Sequence, residues 1–285
     1  MDHTLKEWIE LSEGRTLPEA ALCEQAAETG MEKEDVRREM ARRLQIMKDS
    51  VQTGLDPVLK SNTGLTCGQS SLLHRRAKEG HSYAGAMLGL AEAYALATAE
   101  TNAAMGKIVA APTAGSCGIL PGCLLAAAEV RHLTDELLTD ALFTAAAVGQ
   151  AIAGQASISG AECGCQAECG TAAAMAAAAL VTLEDGTAAQ ACDAAGFAIM
   201  NLLGLVCDPA GGLVEVPCVY RNVGSCGIAF TAADLALSGV PCPIAPDEII
   251  QAMKEVGDAL PASLRETGEG GCAACPSIRA RLCKK

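Results

Sequence analysis

The stretch GAECGCQAECGTAAAMAAAALVTL, residues 160–183, joins two kinds of sequence that decide how the whole chain is read. From Thr171 onward it is mostly alanine, the residue with the best intrinsic helix propensity, whose small side chain lets neighbouring helices approach closely. Before Thr171 it packs Cys163, Cys165 and Cys169 into seven residues among glycines. The pattern predicts a break over 156–166 and a buried helix over 167–183. By residue type alone the thiols of the break suit a metal site, a redox pair or plain packing between helices.

The same division runs along the chain. Half of its 285 residues are apolar but only seven are aromatic, so the core is built from Ala, Leu, Val, Ile, Met and Cys. Helical patterns recur at 82–105, 123–131, 134–155, 187–204, 219–238 and 246–259, and two or three helices are expected in the first 50 residues. There, Thr16-Leu-Pro-Glu19 reads as a capping box with proline in the first turn. Val36, Met40, Leu44, Met47 and Val51 follow at the three- and four-residue steps of an amphipathic helix. Residues 53–70 read as a loop, and no convincing alternating β-branched run appears. The expected fold class is all-α: one Ala-rich helical domain over 1–285, with 1–52 as an N-terminal helical segment packed on it and Gly/Pro/Cys-rich breaks carrying the chemistry.

Residues 142–161 and 171–183 are apolar enough to raise the question of a membrane. Alanine and glycine supply little transfer free energy, and the runs are interrupted by Gln, Ser and Thr, so buried helices of a soluble protein are expected. The net charge of −13 excludes an extended phosphate-binding surface and hence nucleic acid as a partner. The first residues, MDHTLKEWIELSEGR, lack the basic and apolar regions of a secretory signal, which makes a cytoplasmic location the expectation. Fifteen cysteines, an odd number, then favour metal binding or simple burial over a disulfide framework.

Two further breaks hold cysteines, at 204–222 and 266–283. Cys207 and Cys218 flank a Gly211-Gly212 turn and each has a proline close by, Pro209 and Pro217. The prolines restrict the backbone on both sides, which suits a rigid loop holding thiolates. Cys272 and Cys275 form a single C-x-x-C pair without the second pair a zinc ribbon needs. The loops Ser61-Asn62-Thr63-Gly64 and Thr113-Ala114-Gly115-Ser116 each precede a helical pattern, where free backbone N–H groups favour a carboxylate; the plainer reading is a capped helix without a ligand. No general base stands out. His74 and His81 lie in a charged, solvated segment, and His3 and His132 have charged neighbours. Lys60 and Lys107, next to the glycine-rich loops, sit in no recognisable Schiff-base motif.

Four segments together, ASISGAECGCQAECG (156–170), NLLGLVCDPAGGLVEVPCVYRN (201–222), NAAMGKIVAAPTAGSCGILPG (102–122) and LRETGEGG (264–271), closely resemble the iron–sulfur-dependent L-serine dehydratases, in particular the separate α chain of the two-subunit type. The resemblance implies a 4Fe-4S cluster on three cysteines, matching Cys165, Cys207 and Cys218, with the fourth iron open for L-serine. It also implies substrate binding by Thr113, Gly115 and Ser116 and, less directly, by Ser61, Asn62 and Thr63. Single-chain members carry a Ser-Ser-His-Thr motif that is missing here and that a separate β chain supplies in the two-subunit type. The catalytic base is accordingly expected on that partner.

Cys67, Cys163, Cys169, Cys272 and Cys275 depart from the family pattern and read as packing or as spare sulfur ligands. Cys283 stands where some single-chain relatives place a C-terminal cysteine on the open iron. Two rival functions remain at this level: elimination from another β-substituted substrate such as L-cysteine, and a non-catalytic metal- or thiol-binding protein.

Overall fold

The computed structural model describes residues 3–282, and these form an all-α structure with no β-strand. An N-terminal layer comprises α1 (Leu5–Leu11), α2 (Leu17–Thr29) and α3 (Lys33–Gly54). After a loop come α4 (Ser70–Lys78) and α5 (Gly85–Ala103), then α6 (Ile119–Arg131) and α7 (Asp135–Gln155). The short α8 (Gly160–Cys163) precedes α9 (Thr171–Leu183) and α10 (Ala188–Leu202); α11 (Cys218–Leu237), α12 (Pro246–Ala259) and α13 (Pro276–Leu282) complete the chain.

At the centre lies α9, packed against α6, α7, α10 and α11. Every residue from Thr171 to Val181 is buried. A helix apolar on all sides has no stripe to turn outward, and this one satisfies its surface by contact with four neighbours. Two segments, Asp135–Gln155 and Gln166–Leu183, have the length and hydropathy of a membrane span, and both are mostly buried inside this fold. Around α5 lie α3, α4, α6 and α11, while α2 and α3 pack on α7, and α1 contacts α10 and α12.

Local signals act where they are expected. Thr16 caps α2, with its hydroxyl accepting from the Glu19 N–H and the Glu19 carboxylate accepting in return from the Thr16 N–H. Val36, Leu44, Met47 and Val51 of α3 are buried. The difference lies at α4, in a segment whose charges suggest an exposed, solvated stretch. Its first turn is held from a distance: the N–H groups of Gln69 and Ser70 each donate to Glu100 of α5 at 2.9 Å. Glu100 is buried, so a carboxylate inside the core satisfies two of the helix's orphan donors. A second difference is the entrance to α9, where Gln166–Gly170 form a π-helical turn. Such turns widen the backbone and often accompany functional sites.

Candidate functional site

Cysteines distant in sequence meet beside that π-turn. Cys165 lies just before it, Cys207 on the segment between α10 and α11, and Cys218 opens α11; all three are buried. The C-terminal segment clasps Cys207: its N–H donates to the Leu264 carbonyl at 2.9 Å, and its carbonyl accepts from the Glu266 N–H at 2.6 Å. Next to it, Asp208 accepts from the Cys272 N–H at 2.6 Å and pairs with Arg221 of α11 at 2.7 Å. Arg221 also donates to the Val206 carbonyl at 2.8 Å. The LRETGEGG motif thus braces the Cys207 segment from outside.

The thiols interact with one another. Cys165 Sγ and Cys169 Sγ are 3.4 Å apart, so Cys169 faces the site and is more than filler. Hydrogen bonds from Cys169 and Cys207, aided by the Arg221 guanidinium, hold the Cys165 thiol well below the usual thiol range. Cys169 and Cys207 are pushed up, first by serving as its hydrogen-bond partners and then by burial. Burial, followed by repulsion from Cys165, raises Cys218 to about 12. Among the described residues, no group of three or more His, Cys, Asp or Glu side chains is arranged to hold a metal ion.

A carboxylate completes this pocket. Glu168, in the π-turn, accepts from the Thr113 hydroxyl at 2.7 Å and lies 4.0 Å from Cys207 Sγ. Burial and then the Cys165 charge raise its carboxyl to about 7. Gly160 passes so close that a β-carbon there would stand 2.8 Å from both Cys207 Sγ and Glu168 Oε2. Only a glycine lets the backbone approach the thiol and carboxylate together.

Both Gly/Ser/Thr loops reach this end of the bundle. In the 113–116 loop, Ser116 is buried and lies 3.3 Å from the Thr113 hydroxyl. The Gly115 carbonyl accepts from Asn222 Nδ2 at 2.7 Å, and Asn222 Oδ1 accepts from the Gly118 N–H at 2.8 Å. The last residues of α5 touch both loops. Asn102 donates to the Ala114 carbonyl at 3.2 Å, and the Ala103 carbonyl accepts from the Asn62 N–H at 3.3 Å. In the 61–63 loop the hydroxyls of Ser61 and Thr63 donate to Glu215.

Among the described residues, the other thiols and bases singled out by sequence have different surroundings. Cys163 packs against α12, so closely that a β-carbon on Gly257 would fall 2.5 Å from its sulfur. Cys67, Cys272 and Cys275 are exposed, and Cys283 lies outside the described residues. His3 pairs with Glu24 at 3.2 Å, while His74 of α4 lies against the Tyr94 ring. His81 and His132 are exposed, as are Lys60 and Lys107. Glu168, Arg221, Asn222 and Glu215 are the site residues that motif reading passed over. Their signal was present in outline, as charged or amide groups inside apolar or glycine-rich motifs, next to the cysteines they serve.

Comparison with known proteins gives the family. The family model described as serine dehydratase alpha chain matches residues 12–273. A probable L-serine dehydratase alpha chain of Bacillus subtilis is 45% identical over 281 residues, covering 98% of this chain and 93% of that protein. The L-serine dehydratase alpha chain of Peptoniphilus asaccharolyticus is 42% identical over 275 residues, covering 96% and 94%. An L-serine dehydratase of Haemophilus influenzae is 43% identical over 182 residues, which are 63% of this chain but only 40% of that longer protein. With a family match across nearly its whole length and two alpha chains aligned end to end, the chain belongs to the serine dehydratase alpha-chain family.

Proposed function

We propose that the chain is the α subunit of an L-serine ammonia-lyase that eliminates water from L-serine. The resulting aminoacrylate tautomerises to an imine, whose hydrolysis gives pyruvate and ammonia. The observation that carries this reading is the meeting of Cys165, Cys207 and Cys218 beside the Thr113–Ser116 loop in a chain of this family. We further propose that these three thiols hold a 4Fe-4S cluster. The three side chains are not grouped closely enough to hold one metal ion, but their chemistry suits a larger cluster: iron–sulfur groups are held by thiolates, and here the thiols are buried, approached by a glycine and faced by the Arg221 guanidinium. When bound, the cluster supplies a Lewis acid for the substrate hydroxyl.

The chain's own groups do the rest of the work assigned to it. Thr113, Gly115 and Ser116, with Ser61, Asn62 and Thr63 beside them, bind the amino acid. Asn222 holds the first loop in place through the Gly115 carbonyl and Gly118 N–H. Glu168 orients the Thr113 hydroxyl. A β chain completes the enzyme and supplies the base that removes the α-proton, and the assembly is cytoplasmic.

Anaerobic co-expression with a β chain, followed by iron, sulfide and pyruvate assays, tests the proposal. A brown protein that bleaches in air and releases pyruvate from L-serine is expected. A colourless, pyridoxal-containing active enzyme overturns it, and preferential release of sulfide from L-cysteine changes the substrate.

A further inference from the structure

Between Cys207 and Cys218 lies one buried carboxylate without a counter-cation: Glu215 is 3% exposed, and no ion pair to it is found among the described residues. It is satisfied entirely by the 61–66 loop. One oxygen accepts from the Ser61 hydroxyl and from the N–H and hydroxyl of Thr66, both at 2.8 Å; the other accepts from the Thr63 hydroxyl. These partners are about 150 positions away in sequence, with separations of 149 to 154. Its own carbonyl accepts from the Val219 N–H at 2.9 Å, in the first turn of α11, immediately after Cys218.

We propose that Glu215 is a positioning residue that bolts the 61–66 loop to the segment carrying Cys207 and Cys218 and thereby sets the affinity for L-serine. Three residues before Cys218, Glu215 grips one loop; four residues after it, Asn222 grips the other. A buried carboxylate is costly to leave unpaired, and four donors from one short loop make that loop's position and the carboxylate's burial mutually dependent. The hydroxyls of Ser61 and Thr63, each bonded to Glu215, are thereby fixed where the loop meets the substrate. This inference rests on the proposed function.

The test compares Glu215→Ala and Glu215→Gln in two settings. In the isolated α chain, hydrogen exchange of the 57–70 segment is expected to quicken at least tenfold in Glu215→Ala and to stay near wild type in Glu215→Gln, which keeps an acceptor and the shape. In the enzyme loaded with iron and paired with a β chain, Glu215→Ala is expected to raise KM for L-serine about tenfold with kcat within twofold, and Glu215→Gln to restore most of the loss. Unchanged exchange, or a fall in kcat at constant KM, overturns the proposal. If Glu215→Ala does not fold or load, Thr66→Val removes a donor from the loop side, at a residue outside the substrate-binding set, and is read in the same way. A wild-type enzyme that releases no pyruvate from L-serine fails the proposed function itself, while the exchange result still decides whether Glu215 orders the loop.

Discussion

Helix α9 and the eleven residues before it are both rich in small side chains and largely buried, yet they have opposite roles. From Thr171 to Val181 the chain buries methyl groups and little else, and close packing against four helices follows. From Gly160 to Gly170 it buries Cys165 and Cys169 beside the partly buried Glu168, and the ionisation of all three is shifted by burial and by one another. Burying small apolar groups is favourable wherever they fit, whereas burying thiols and a carboxylate costs free energy unless partners are supplied. The first region therefore stabilises the fold, and the second draws on that stability to hold reactive groups together.

The sharpest break in this contrast is Cys207→Ser. It is expected to reduce the iron content of anaerobically loaded protein to background, with loss of the brown absorbance, and to leave the far-ultraviolet circular dichroism of the helices unchanged. Gly160→Ala is expected to act almost as strongly on iron loading, because its β-carbon would collide with Cys207 Sγ and Glu168 Oε2 at 2.8 Å. In α9 the consequence reverses: Ala177→Leu overpacks a fully buried position and is expected to cost about 1–3 kcal/mol in urea unfolding. That loss of stability comes without any thiol being touched.

Two smaller effects refine the comparison. Glu168 has its carboxyl raised to about 7 by burial, from an ordinary value of 4.5. As pH rises through this window the unfolded chain loses its proton first, so the folded apo-protein is destabilised. Urea titrations of wild type and Glu168→Gln are expected to show wild type losing stability relative to the variant between these pH values, with no further divergence above them. Least of all, Cys163→Ala, which removes a sulfur packed on Gly257, is expected to retain iron and cost about 1 kcal/mol. Loss of iron in that variant would place Cys163 in the site.

Much of this was legible in the chain itself. Thr16 and Glu19 mark the start of α2 because a capping box is a contact between residues three apart. The helices at 246–259 and 134–155 follow from apolar spacing for the same local reason. The turn at Gln166–Gly170 and helix α4 were not legible. The first depends on how Gly164 and Gln166 are held against Leu205, and the second on Glu100, thirty positions away. Among site residues the three family cysteines stand out by motif. The contact of Cys169 with Cys165, and the partners of Glu168 and Glu215, do not.

Alone, the order of residues determined the helical class, the small-residue core, the positions of the breaks and the family, since propensity, periodicity and motif spacing are properties of neighbours along the chain. Only the tertiary structure decided which thiols face one another, that Cys163 turns away to α12, and that Glu215 bonds a loop some 150 residues upstream. Those outcomes depend on which surfaces α9 brings together, and no short-range pattern encodes a desolvated carboxylate's partners.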